Sequence, residues 1–139
     1  MPYWRLFYHI VWATKDRRPL IQDAFAPSLF ERMTQKATQL GAIVHGVNGV
    51  PDHVHLAVSV PPSVALSEFV RQVKGSSSHF MSRELDVPVE FGWHPDYGVM
   101  SLDSKQMERV VQYVKDQRQH HAQRTTITVL ERLSQDDGR

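Results

Sequence analysis

Two histidines separated by one residue, His53 and His55, open the apolar run Leu56-Ala57-Val58-Ser59-Val60. If this run is a strand, side chains alternate between faces, and both imidazoles point the same way with Ala57 and Ser59, opposite Val54, Leu56, Val58 and Val60. Residues i and i+2 of a strand are roughly 7 Å apart at the backbone, close enough for two neutral ring nitrogens to share a divalent cation. The small Ala57 and Ser59 beyond them suggest free space for a ligand. The plain alternative is a pair with one ring packed at a sheet edge and the other in water. Further along, Tyr113 and Gln117 are four residues apart and share a helical face, a stripe that flanks an apolar seam of Met107, Val110, Val111 and Val114. An amphipathic boundary tyrosine with its hydroxyl in water would show the same spacing.

Basic and aromatic residues form a second set. Arg17, Arg18, Arg71, Lys74 and Lys115 are solvated charges or phosphate contacts. In Lys74-Gly75-Ser76-Ser77-Ser78 a cation lies beside small hydroxyl residues that can approach a phosphate closely. Trp93 and Tyr97 lie in a Gly/Pro-rich stretch, where they either stack on unpaired bases or anchor the loop to the core.

Composition narrows the chemistry. The 139 residues contain no cysteine, which removes disulfides, thiolate metal sites and thiol nucleophiles together. A formal net charge of +1 excludes a polybasic polyelectrolyte but not local nucleic-acid binding, and the 41% hydrophobic content argues against disorder. No apolar run approaches the roughly 18 residues of a membrane span. Met1-Pro2-Tyr3-Trp4-Arg5 lacks the order of a signal peptide, so a cytoplasmic protein without membrane contact is expected.

The elements that must position these residues follow from periodicity. Tyr3 to Thr14 reads as a strand, Phe25 to Leu40 as a helix stopped by Gly41, and Ile43 to Val50 with His53 to Val60 as a hairpin turning at Pro51-Asp52. Ser63 to Glu84 reads as a second helix loosened at Gly75-Ser76-Ser77-Ser78, and Tyr97 to Leu102 as a short strand. A third helix, capped by Asp103 or Ser104, runs to about His121, and Ile127 to Leu133 reads as a short helix that either docks on a partner or frays. The order β-α-β-β-α-β-α predicts an α+β, ferredoxin-like (RRM-like) antiparallel sheet with helices on one face. One domain spans 1–139, with 122–139 as a tail or docking helix.

In this order and spacing, Tyr8-His9-Ile10-Val11-Trp12-Ala13-Thr14-Lys15 with Arg17-Arg18-Pro19, Pro51-Asp52-His53-Val54-His55-Leu56, Val73-Lys74-Gly75-Ser76-Ser77-Ser78 and Tyr113-Val114-Lys115-Asp116-Gln117 resemble the HUH endonuclease transposases with a single catalytic tyrosine. These are the small transposases of single-strand-transposing insertion sequences and their REP-associated relatives. The resemblance implies His53, His55 and Gln117 as ligands of Mg²⁺ or Mn²⁺, and Tyr113 as a nucleophile that forms a 5′-phosphotyrosine. It also implies hairpin-bearing single-stranded DNA as substrate and a homodimer, in which the tyrosine helix of one subunit can complete the histidine site of the other. The rival readings are a non-catalytic RRM-like binder of single-stranded nucleic acid and a metal-dependent phosphodiesterase that uses water.

Overall fold

The computed structural model describes residues 3–85, 87, 90–117 and 128–131. β1 (Phe7–Ala13), α1 (Ala26–Gln39), β2 (Ile43–Val50), β3 (His53–Ser59), α2 (Leu66–His79), β4 (Gly98–Leu102), α3 (Ser104–Lys115) and α4 (Thr128–Glu131) follow in chain order. The four strands form one antiparallel sheet in the order β2-β3-β1-β4, as in a ferredoxin-like βαββαβ unit. A two-residue turn at Pro51-Asp52 closes the β2–β3 hairpin, with Val50 paired to His53. Every residue of the central strand β3 is buried.

That burial has a different cause on each face. α1 and α2 cover one face, where Ile10, Trp12, Leu29, Met33, Leu56, Val58, Phe69 and Val73 are all fully excluded from water. Each such side chain contributes roughly 1.5–3 kcal/mol through removal of apolar surface from solvent. α3, which follows the βαββαβ unit, lies on the other face, where Met107, Val110, Tyr113 and Val114 pack with Ala57 of β3 and Leu130 of α4. Polar His9, His53, His55 and Ser59 therefore sit between the sheet and a third helix, not in water.

Local chemistry sets the helix ends. Asp103 accepts a hydrogen bond from the Gln106 backbone N–H at 2.7 Å, and the Gln106 side chain accepts one from the Asp103 N–H at 3.0 Å. This capping box starts α3 and fixes the phase of its buried stripe. α2 runs unbroken through Gly75-Ser76-Ser77-Ser78, where a loosened segment is expected. The hydroxyls of Ser77 and Ser78 bond back to helix carbonyls, Ser77 to Val73 at 2.7 Å and Ser78 to Gly75 at 3.2 Å. A single turn of wider helix, Phe80–Glu84, follows. The expected extension of the third helix to His121 lies outside the described residues beyond position 117.

Candidate active site and metal centre

His53 and His55 project from the same face of β3, with ring centroids 5.1 Å apart. Opposite them, α3 presents Tyr113, whose ring lies 6.1 Å from that of His55. Tyr113 is 5% exposed and belongs to the buried stripe of α3, and Gln117, just past the end of that helix, is fully buried, so neither merely flanks the seam. The difference arises because this sheet face is covered: a tyrosine at the edge of a two-layer fold could reach water, whereas here its ring is enclosed by β3 and α4.

Glu131 of α4 occupies the middle of this group, a residue with no discernible link to the histidines in the sequence. Its Oε1 lies 2.9 Å from His53 Nε2 and 3.1 Å from His55 Nε2, while its Oε2 accepts the Tyr113 hydroxyl at 2.5 Å and the Gln117 amide at 3.1 Å. Leu130, 5% exposed, anchors the short helix in the apolar cluster beneath α3. Only an acidic residue in a segment expected to dock hinted at Glu131, because its partners lie 78, 76, 18 and 14 positions away.

A further layer surrounds the two imidazoles. His53 Nδ1 faces Asp52 Oδ1 at 2.7 Å, and Asp52 in turn lies 3.8 Å from the Arg17 guanidinium. His55 Nδ1 faces His9 Nε2 at 2.8 Å. Burial opposes charge on His53, but its hydrogen bonds to Asp52 and Glu131 outweigh this and raise its pKa above 6.5. For Glu131, burial favours the neutral acid, yet the hydrogen bonds from His53 and His55 prevail and hold the carboxylate well below its ordinary range.

His53, His55 and Glu131 form a group that could hold a metal ion. The donor set fits: imidazole nitrogens with carboxylate and amide oxygens accommodate first-row divalent ions. The separations from Glu131 Oε1 to the two Nε2 atoms match the spacing of about 3 Å between neighbouring ligand atoms bound at about 2.1 Å. Gln117 Oε1 is buried and has no hydrogen-bond partner among the described residues. Exchanging the amide O and N, which are nearly indistinguishable by shape, would turn this oxygen toward the same point.

The expected DNA contacts are dispersed. Arg17, Arg18 and Lys115 are exposed, with Arg17 joined to the site through Asp52. Arg71 is exposed on α2, across the sheet from the histidines, and is paired with Glu68. Ser76 is partly buried on the same helix. Lys74 donates to the carbonyls of His94 at 2.6 Å and Asp96 at 3.3 Å, which ties α2 to the loop before β4. Ser77 is a correction: it is fully buried and accepts from Trp93 Nε1 at 3.1 Å, leaving its hydroxyl no open face for a phosphate. Trp93 stands edge-on to Trp12 and Phe91, and Tyr97 packs on the main core, so both serve as loop anchors in this structure. The free space expected beyond the histidines is also filled, since Ala57 packs under α3 and Ser59 lies 2.6 Å from His45 Nε2.

A ferredoxin-like sheet with a histidine pair on its central strand, facing a tyrosine from the following helix, is the arrangement of single-tyrosine HUH transposases. Residues 2–117 match the family model for IS200-like transposases, and the chain belongs to that family. Over 119 residues it is 29% identical to the ISDra2 transposase TnpA of Deinococcus radiodurans, covering 82% of this chain and 85% of that protein. It is 24% identical to the transposase for insertion sequence element IS200 of Salmonella typhimurium, covering 82% and 78% respectively. A solved Deinococcus radiodurans chain assigned to the transposases superposes with a TM-score of 0.64 at 29% identity, covering 84% of this chain and 95% of that one. The structure of a REP-associated tyrosine transposase bound to a REP hairpin shares the fold, with a TM-score of 0.65 at 15% identity and coverage of 87% and 74%. No helix among the described residues is long and apolar enough to cross a membrane.

Proposed function

We propose that this transposase cleaves and rejoins hairpin-bearing single-stranded DNA through a covalent bond to Tyr113, with a Mg²⁺ or Mn²⁺ ion held by His53, His55, Glu131 and Gln117. The observation that carries this reading is that one carboxylate, Glu131, joins the Tyr113 hydroxyl to both imidazoles inside a single chain. A bound ion supplies Lewis-acid stabilisation of the charge that develops on the non-bridging phosphate oxygens.

The chain's own residues account for the rest. A phenol has a pKa of about 10, and Glu131 Oε2, 2.5 Å from the hydroxyl, is positioned to take its proton. The Tyr113 oxygen then bonds to phosphorus while the bond from phosphorus to the 3′ oxygen breaks. A 5′-phosphotyrosine remains, and the leaving oxygen is protonated to a 3′-OH. Attack by the 3′-OH of a second strand reverses the exchange and rejoins DNA without a nucleotide energy source. Exposed Arg17, Arg18 and Lys115 offer phosphate contacts, with Arg71 and Ser76 on the far side of the sheet available to another part of the same DNA.

Because tyrosine and histidines meet within one chain, a site completed in cis is favoured over exchange between the subunits of a homodimer. The non-catalytic RRM-like reading loses support, because such binders stack bases on an open sheet face, whereas helices cover both faces here.

The test is incubation with Mn²⁺ and hairpin-bearing single-stranded oligonucleotides copied from the DNA flanking the gene, followed by denaturing electrophoresis. A covalent protein–DNA band is expected from the wild type. Tyr113→Phe should abolish it while retaining hairpin binding on a native gel, and an adduct formed by that variant would refute the assignment.

A further inference from the structure

We propose that His9 is a positioning residue that orients His55 and takes up its Nδ1–H hydrogen bond when the opposite nitrogen binds an ion. This inference rests on the metal-centre reading above and extends it to a residue that does not itself reach the centre.

His9 lies on β1 and His55 on β3, on the same sheet face and in diagonal register, since Val11 is paired with His55 and His9 with Ala57. Diagonal neighbours lie within reach of ring-sized side chains. The two ring centroids are 5.0 Å apart, with planes tilted by 32°, and the facing nitrogens are 2.8 Å apart. A contact this short must contain one proton: two lone pairs would repel, and two N–H groups would collide.

The other nitrogen of His55, Nε2, is the one turned toward Glu131 and the centre. A neutral imidazole that offers its Nε2 lone pair to a cation carries its proton on Nδ1. That N–H has to donate to His9 Nε2, which places the proton of His9 on its own Nδ1. With an ion on Nε2 the shared proton belongs to His55 and His9 accepts it; without an ion, Nε2–H of a neutral His55 donates to Glu131 and the contact with His9 runs the other way.

His53 is served differently, by the carboxylate of Asp52, which is partly open to water. A carboxylate at the position of His9, which is 2% exposed, would bury a second negative charge beside Glu131 at high cost. A neutral acceptor avoids this.

The test compares His9→Phe, which keeps a ring without an acceptor, with His9→Gln, which keeps an acceptor oxygen. Mn²⁺ affinity is read from the electron paramagnetic resonance of free Mn²⁺ without DNA, and metal-free melting curves report packing separately. His9→Phe should weaken Mn²⁺ binding 10- to 100-fold, and His9→Gln should restore most of the loss. Equal Mn²⁺ affinity in His9→Phe and the wild type, or equal weakening in both variants, overturns the proposal. A wild type that binds no Mn²⁺ overturns the metal centre as well. Should His9→Phe fail to fold, long-range ¹H–¹⁵N spectra of the Mg²⁺-saturated wild type decide: protons on Nδ1 of both His9 and His55 are expected, and a proton on Nε2 of His9 contradicts the assignment.

Discussion

The imidazole of His53 holds a proton on Nε2 that an ion would have to displace, because that nitrogen faces Glu131 and its pKa is raised above 6.5. A raised histidine stabilises the fold fully below about pH 6.5, and that contribution is lost as pH rises through the folded-state value. Ion binding runs in the opposite direction, since it needs the deprotonated ring. Mn²⁺ should therefore raise the melting temperature more at pH 8 than at pH 6. Asp52→Asn, which keeps an acceptor oxygen but removes the negative charge that helps hold the proton, should narrow that difference; an unchanged difference would mean that the charge of Asp52 does not govern His53. Glu131→Ala should slow adduct formation by roughly 10²–10⁴-fold, the usual contribution of a positioned base. Faster cleavage by that variant would instead mean that the carboxylate stands where the substrate phosphate must enter.

At the scale of elements, the β2–β3 hairpin holds the histidines and α3 holds the tyrosine, so small changes in either should act at a distance. A Cβ added at Gly49 would lie 2.7 Å from the His53 carbonyl oxygen and 3.0 Å from Val54 Cγ1. The nearer contact is with backbone, so relief requires the hairpin to shift. Gly49→Ala should cost about 1–3 kcal/mol in denaturant unfolding and weaken Mn²⁺ binding with it. Asp103→Ala removes the capping box and should cost about 1 kcal/mol, with a modest loss of cleavage as α3 frays from its start. The turn after β1 acts from the other side of the site: Asp16 and Arg17 both adopt left-handed backbone, at φ 55° and 53°, which directs Arg17 toward Asp52.

For the whole molecule, the decisive property is that a third layer closes over the histidine face. α3, the turn that follows it and α4 bring Tyr113, Gln117 and Glu131 of one chain onto the histidines of that chain. Mixing Tyr113→Phe chains with His53→Ala chains should therefore yield no covalent adduct with DNA, since neither chain contains both halves of a site. Recovery of the adduct on mixing would show that α3 crosses between subunits.

Much of this architecture was legible from periodicity. Alternation along β3 placed both imidazoles on one face, a two-residue turn joined β2 to β3, and Asp103 marked the start of α3, because strand and helix geometry impose these relations between neighbours in the chain. The identities of Tyr113 and Gln117 were legible too, as two residues one helical turn apart, and the motif order connected them to the family. Local pattern could not show that both are buried, that Ser77 and Trp93 are committed to each other, or that Glu131 meets His53, His55, Tyr113 and Gln117. Those facts depend on which surfaces meet across dozens of residues. The sequence determined the strands, the helices and the residues able to do chemistry, since these follow from short-range geometry. Only the tertiary structure decided which of those residues converge, because packing of α3 and α4 on the sheet is a long-range choice set by apolar burial and satisfied hydrogen bonds.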